Sequence, residues 1–293
     1  YYDEDDPIMS DAEYDKLYKE LLDLEHDTGI VMSNSPTQFV PGTPVGELKK
    51  VRHPHPMLSC EKTKKVEEIV RFTDHQNIYL TWKLDGLTLV LRYENHMLVQ
   101  AVTRGDGEFG EDVTHNIKLF DNIPAKIVYS GTLVVRGEAV MLLNEFERVN
   151  ELAGGIYDSP RNLAAGTLRR LNTNDNDKRQ LSFYAFSLVA PEVQTMSAAR
   201  TLLDSNGFDI VPGFLITWEP VHFKDNIVDG ISRMKQAIPQ LAFPMDGLVA
   251  EYADLAYGRS LGCTGHHPRC QMALKWEDEC KKTVLRDILI DVT

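Results

Sequence analysis

The sequence predicts an α+β fold in which hairpin-joined strands are interrupted by single helices and preceded by a short helical unit. Three observations carry this. Runs rich in β-branched and aromatic residues fall next to one another with turn residues between them, Glu94-Asn95 being the clearest junction. Amphipathic segments are inserted between these runs without the strand–helix–strand alternation of a parallel sheet. The chain has 293 residues, 43% hydrophobic and 26% charged, enough for one large domain and a small one.

The first element is an amphipathic helix over residues 10–25. Ser10 or Asp11 can cap it, and Leu17, Leu21, Leu22 and Leu24 give it an apolar face. Residues 33–44 carry Ser35-Pro36-Thr37 and Pro41-Gly42-Thr43-Pro44, which break the pattern and read as a linker. The chain therefore divides into a helical unit, residues 1–43, and a main domain, residues 44–293. In the main domain residues 66–73 read as a helix. Residues 79–93 and 97–104 read as strand, the first span divided by a charged insert into two strands carried by the apolar stretches Ile78 to Trp82 and Leu87 to Leu91. Strands follow at 132–140, 181–188, 209–216, 247–251 and 272–276. Helices are expected at 143–152, at 161–171 after Pro160, at 198–205 and at 226–237.

Composition narrows the function classes. No apolar run approaches the roughly 20 residues of a membrane span, and no signal peptide is visible. The chain opens on Tyr1 rather than methionine, so the natural N-terminus is expected to lie upstream. Cys60, Cys263, Cys270 and Cys280 show no disulfide-framework spacing, which points to a reducing cytoplasm. Acidic residues outnumber basic ones 44 to 31, for a formal charge of −13. That opposes strong nucleic-acid binding by these residues alone, because phosphate neutralisation needs a basic surface. Arg161, Arg169 and Arg170 could still form a local basic face.

The charged insert is Lys83-Leu84-Asp85-Gly86. A lysine between two strands is costly unless it is paired or used. Burial and neighbouring cations can favour the neutral amine, which is a nucleophile. Asp85 could orient it, and Gly86 lets a ligand approach the backbone.

Lys-x-Asp-Gly resembles the active-site motif of covalent nucleotidyltransferases, and the motifs around it extend the resemblance. Upstream are Asp11-Ala12-Glu13-Tyr14-Asp15 and Met57-Leu58-Ser59. Downstream are Thr103-Arg104-Gly105-Asp106-Gly107, Val135-Arg136-Gly137-Glu138, Ser159-Pro160-Arg161-Asn162, Asp246-Gly247 and Ala273-Leu274-Lys275. In this order they are similar to bacterial NAD-dependent DNA ligases from residue 1 to about residue 290. The resemblance implies an ATP-grasp-like nucleotidyltransferase domain with mixed and antiparallel sheets, preceded by a helical subdomain that binds nicotinamide mononucleotide. It implies Lys83 as the nucleophile that takes AMP from NAD⁺, with AMP then passed to the 5′-phosphate of a nick in double-stranded DNA. It implies Lys275 on the α-phosphate, Arg104 and Glu138 on the nucleotide, and Ser59 and Cys60 lining the adenine pocket. Asp85 and Asp246 would orient Lys83 or hold Mg²⁺. Tyr1, Asp11, Tyr14 and Asp15 would grip nicotinamide mononucleotide. It also implies further DNA-binding modules beyond residue 293, so this stretch is expected to be a monomer that forms AMP-lysine yet binds DNA weakly and seals nicks poorly.

Three positions depart from the family pattern. Thr81 stands where a glutamate usually accepts from the adenine amine, with shorter reach and no charge. Glu251 stands where a second phosphate-binding lysine is usual, and a carboxylate facing a pyrophosphate repels it. Tyr2 stands where some members carry histidine.

Rival readings follow from single motifs. Gly105-Asp106-Gly107-Glu108-Phe109-Gly110 matches the G-x-G-x-x-G of a dinucleotide-binding Rossmann unit and would suggest an NAD-dependent oxidoreductase. Its two acids sit where a pyrophosphate would lie, and the flanking strands read as a hairpin. Cys263-Thr264-Gly265-His266-His267-Pro268-Arg269-Cys270 offers zinc-type ligands at a spacing too compressed for paired knuckles. Thr81 and Glu251 leave open a catalytically impaired NAD- or DNA-binding paralogue.

Overall fold

The computed structural model describes residues 11–32, 35, 37, 48–171, 179–265 and 267–276; the side chains of residues 11–15 lie outside the description. Helix α1, Asp11–Thr28, ends where Gly29 takes a left-handed conformation (φ 67°). The main domain is built on two sheets. The first contains β2 (Glu61–Thr63), β3 (Ile78–Leu84), β9 (Gly213–Ile216), β10 (Met245–Tyr252) and β11 (Gln271–Lys275), in the order β2-β11-β10-β3-β9. All its pairings are antiparallel except β2 with β11. The second contains β4 (Leu87–Glu94), β5 (Met97–Thr103), β7 (Leu133–Val140) and β8 (Ser182–Ala190), in the antiparallel order β5-β4-β7-β8. A two-stranded ribbon pairs β1 (Lys50–Arg52) with β6 (Phe109–Glu111).

Each sheet has its own core. In β3 the even-numbered residues Ile78, Leu80, Trp82 and Leu84 are buried. They pack with Leu248 and Ala250 of β10 against α2 (Val66–Phe72) and α6 (Phe223–Ala237) through Ile69, Ile227 and Ile231. The second sheet buries Leu89, Leu91, Val135 and Phe183 against α4 (Pro160–Leu168) and α5 (Met196–Ser205) through Leu163 and Leu203. Strand alternation thus leaves Tyr79, Thr81 and Lys83 on the open face of β3.

The two sheets join at Asp85-Gly86. The two apolar stretches read on either side of the charged insert are separate strands, β3, which also takes in Lys83 and Leu84, belonging to one sheet and β4 to the other. The Asp85 amide donates to the Pro244 carbonyl at 2.9 Å, which turns the chain away. A Cβ on Gly86 would lie 2.2 Å from the Ala139 carbonyl oxygen, so only glycine permits the step.

Other differences from the sequence expectation have local causes. Only residues 213–216 of the expected 209–216 strand form β9, since Pro212 has no amide to give a ladder; Ile210 makes a single bridge to Ala185. Helices α5 and α6 begin two and three residues earlier than expected, α5 because Thr195 caps it by accepting from the Ala198 amide. Helix α3, Leu143–Leu152, begins where expected. The Gly105–Gly110 segment runs from β5 into β6 and opens no helix, so the Rossmann context is absent.

Candidate active site

A cavity of about 390 Å³ lies between the two sheets. Lys83, Asp246 and Lys275 meet on its floor. Gly247 of β10 is paired with Lys83 of β3 on one side and Lys275 of β11 on the other, so both lysines rise from the same level. Between Met245 and Gly247 the register slips: two steps of β10 oppose one step of β3. Asp246 is the extra residue, and the bulge aims its carboxylate between the two ammonium groups. Lys83 Nζ lies 2.8 Å from Asp246 Oδ1, and Lys275 Nζ lies 2.8 Å from Oδ2. The Asp246 carboxyl is held below the usual carboxylate range by these lysines, against the opposing pull of burial.

Asp85 does not share in this contact. It accepts from Arg161 Nη1 at 2.8 Å, close to the N-terminus of α4. Of the two carboxylates expected beside Lys83, the structure brings Asp246 to it and gives Asp85 to Arg161.

The wall from the second sheet carries Glu138 and Arg136. Burial pushes the Glu138 carboxyl up to about 7, opposed by the hydrogen bond from Thr88 Oγ1 at 3.0 Å and by the charges of Lys83 and Arg161. Arg136 also lines the cavity, and its Nε has no hydrogen-bond partner among the described residues. Arg104 closes one end: Nη2 donates to Ser59 Oγ at 2.8 Å and Nε to the Met57 carbonyl at 3.0 Å. A wider, more open cavity of about 930 Å³ continues outward past Met57, Ser59 and Arg104.

The far end is formed by Tyr79, Thr81, Cys60 and Glu251. Thr81 Oγ1 is directed at the Val249 carbonyl at 3.4 Å. Burial pushes the Cys60 thiol up to about 12 and the Glu251 carboxyl up to about 7. Glu251 pairs with Tyr79, four residues along β3 from Lys83. It therefore stands away from the two lysines, and the repulsion of a pyrophosphate expected at this position is not built into the geometry.

Tyr1 lies outside the described residues, as do the side chains of Asp11, Tyr14 and Asp15. In the Cys263–Cys270 stretch His266 is also outside them, Cys263 is exposed, and His267 Nδ1 donates to the Ser59 carbonyl at 2.8 Å. Among the described residues no group of three or more His, Cys, Asp or Glu side chains is placed to hold a metal.

Several pocket residues were not singled out from the sequence. Thr88 was missed because a threonine in a strand carries no signal of its own; it matters here because the pairing of β4 with β7 sets it opposite Glu138. His267, which the sequence offers only as a zinc-type ligand, borders the outer cavity beside Ser59. Met196 and Arg200 enter from α5 and Val211 from the segment just after it, far in the chain from Lys83.

Comparison with known proteins assigns the sequence to a family. The sequence profile of the NAD-dependent DNA ligase adenylation domain matches residues 45–279. This chain belongs to the NAD-dependent DNA ligase family. A second profile, the DNA ligase-like N-terminal NAD⁺-binding domain, matches residues 1–41. Curated relatives named DNA ligase include those of Ruminiclostridium cellulolyticum (44% identical over 295 residues, 98% of this chain and 44% of the relative) and Clostridium kluyveri (38% over 312 residues, 100% of this chain and 46% of the relative). The chain thus spans less than half the length of these ligases. Among solved structures, the ligase domain of M. tuberculosis LigD is 14% identical, with a TM-score of 0.40 over 68% of this chain and 55% of that one. Among the described residues of this ligase-family chain, no helix is long and apolar enough to cross a membrane.

Proposed function

We propose that this chain is the self-adenylylating part of a cytoplasmic NAD-dependent DNA ligase and that Lys83 is its nucleophile. Residues 1–43 form the unit that takes nicotinamide mononucleotide, with Tyr1, Asp11, Tyr14 and Asp15 as its contacts, and residues 44–293 form the adenylation domain. The observation that carries the reading is the pair of lysines on one carboxylate at the junction of two sheets. Phosphoryl transfer needs an in-line nucleophile and cations on the phosphoryl oxygens, and this cluster supplies both.

The reaction balances on these residues. The neutral Lys83 amine attacks the adenylyl phosphorus of NAD⁺ and a P–N bond forms. The P–O bond to the bridging oxygen of the pyrophosphate breaks, and nicotinamide mononucleotide leaves with the electron pair. Asp246, at 2.8 Å from Lys83 Nζ, is in place to take a proton from the nitrogen, and Lys275 offsets charge on the phosphoryl oxygens. Glu138 accepts from ribose hydroxyls, held by Thr88. Arg104 is fixed by Ser59 and Met57 at the mouth. AMP then passes to the 5′-phosphate of nicked DNA, which meets Arg161 and Arg169 and the modules of the longer protein.

Mg²⁺ finds no ready seat among the described side chains. Asp246 is taken by two lysines and Asp85 by Arg161, whereas Mg²⁺ binds one or two free carboxylates together with waters and phosphates. No step is therefore assigned to it.

The test is intact-mass measurement after incubation with NAD⁺. The protein is expected to gain one adenylate, and Lys83→Ala is expected to gain none. An unmodified wild-type protein that nonetheless binds NAD⁺ tightly would overturn catalysis in favour of a binding module.

A further inference from the structure

The far end of the cavity differs from its floor in kind. The floor holds the charges that suit a phosphoryl group. The far end is walled by Tyr79, Val249, Met196 and Val211, surfaces suited to a flat ring, and Glu251 stands among them with its carboxyl in no hydrogen bond and no ion pair among the described residues. The ladder supplies a ruler. Gly247 opposes Lys83 and Glu251 opposes Tyr79, so Glu251 sits four residues, about 13 Å, along the sheet from the nucleophile and on the same face. A span of that order suits a nucleotide extended from its phosphorus to the outer edge of its base. Thr81, two residues before Lys83, turns its hydroxyl to the Val249 carbonyl.

Resting on the reading that this cavity holds an adenylyl group, we propose that Glu251 is the residue that reads the nucleobase, through a donor and an acceptor on one carboxyl. The carboxyl O–H donates to the ring nitrogen N1 of a 6-aminopurine, and its C=O accepts from the exocyclic amine. A protonated carboxyl has this donor–acceptor pair, whereas an ionised one offers acceptors only. An ionised Glu251 would face the N1 lone pair and would suit guanine, whose N1–H and 2-amino group both donate.

Burial supports the protonated form, since it pushes Glu251 up to about 7. The groups around it do not reverse this. From the adjoining segments the Cys60 and Cys270 thiols are both pushed up to about 12 and stay neutral across the range. From β3, Tyr79 hydrogen-bonds Ser197 Oγ at 3.1 Å, and from α5 the Arg200 guanidinium lies over the Tyr79 ring at 5.5 Å while donating to the Val211 carbonyl. From β11 the opposing residue is the uncharged Gln271, and Lys62 and Lys83 stand further along the cavity.

The test is the rate of AMP-lysine formation between pH 6 and 9, with NAD⁺ and with nicotinamide guanine dinucleotide, in the wild type, Glu251→Gln and Glu251→Leu. For the wild type, KM for NAD⁺ is expected to climb toward about tenfold per pH unit above pH 7 with kcat little changed, and KM for the guanine analogue to fall over the same range. Glu251→Gln keeps a donor and an acceptor and cannot ionise, so its KM is expected to be flat with pH. Glu251→Leu is expected to raise KM for NAD⁺ about tenfold or more at pH 6. A flat wild-type profile, or Glu251→Leu within threefold of wild type, overturns the proposal. Calorimetric binding of AMP to the same proteins separates the two readings. AMP affinity that follows Glu251 without any lysine adduct would keep base reading and sink the ligase chemistry; an adduct formed with indifference to Glu251 would do the reverse.

Discussion

Asp246→Asn is the sharpest probe of the floor. The carboxylate neutralises two ammonium groups at once, each 2.8 Å from one of its oxygens. Those distances place the two Nζ atoms at most about 8 Å apart, so with the charge removed they repel by at least about 2 kcal/mol at an effective dielectric constant of about 20. Removing one partner of a buried pair costs about 3–5 kcal/mol when the remaining charge is fully enclosed. Here the side chains of Lys83, Asp246 and Lys275 are 21%, 22% and 34% exposed, so solvent relieves part of the penalty. The expected loss is about 2–3 kcal/mol, measured as a lower urea midpoint at pH 7 with an unchanged m-value. If like-charge repulsion is the cause, adding Lys275→Met to Asp246→Asn recovers at least half of the loss, and raising the salt recovers some of it in the single variant. A loss below about 0.5 kcal/mol, or a double variant less stable than the single one, would refute this account of the cluster.

Three further outcomes follow from contacts around it. Gly86→Ala forces a Cβ to 2.2 Å from the Ala139 carbonyl oxygen, so a loss of about 1–3 kcal/mol and of AMP-lysine formation is expected; a thermal midpoint equal to wild type would show that the junction yields freely. For Glu138 the folded-state value is raised from 4.5 to about 7, so the native state binds the proton more tightly than the unfolded one. The penalty is absent below about pH 4.5, grows as pH rises, and is complete above about 7, at no more than about 3 kcal/mol. Glu138→Gln is therefore expected to lose less stability than wild type between pH 4.5 and 8, by urea unfolding, while its KM for NAD⁺ rises. Arg161→Ala leaves Asp85 without its cation; the pair is 54% and 32% exposed, so a double-mutant cycle with Asp85→Ala is expected to give a coupling of only about 0.5–1 kcal/mol.

Much of the fold was legible because long strands and helices write their period into the sequence. The alternation Ile78, Leu80, Trp82, Leu84 against Tyr79, Thr81, Lys83 already separates core from cavity in β3. Three-residue strands carry no such period. β1, β2 and β6 went unread because their strand state comes from partners elsewhere, β2 from β11 some 210 residues away. The six-residue helix α7, Leu255–Ser260, was missed for the same reason of length, although Asp254 caps it by accepting from the Tyr257 amide. Gly105 and its neighbours imitated a dinucleotide fingerprint because a tight turn demands glycine too: Gly105 has φ 56°, and a Cβ there would meet the Phe109 carbonyl oxygen at 1.8 Å.

The site was legible in its residues and not in their pairing. Lys83, Asp85, Asp246, Glu138, Arg104 and Lys275 all line or border one cavity, but the sequence left open which of Asp85 and Asp246 meets the lysine. Asp85 is two residues from Lys83, on the segment where the chain leaves the sheet, and it turns to Arg161. Asp246 is more than 160 positions away and reaches Lys83 because β10 lies beside β3 with one residue bulged. The same register decides Glu251. Counted from Asp246 in the sequence it looks like a neighbour of the phosphates, but counted on the ladder it stands opposite Tyr79, at the other end of the cavity. A carboxyl that would have opposed a pyrophosphate stands instead at the end of the cavity where we propose that the base is read. Motif spacing alone could not separate those two positions, because both lie on the same strand face and only the pairing fixes where along it the nucleophile stands.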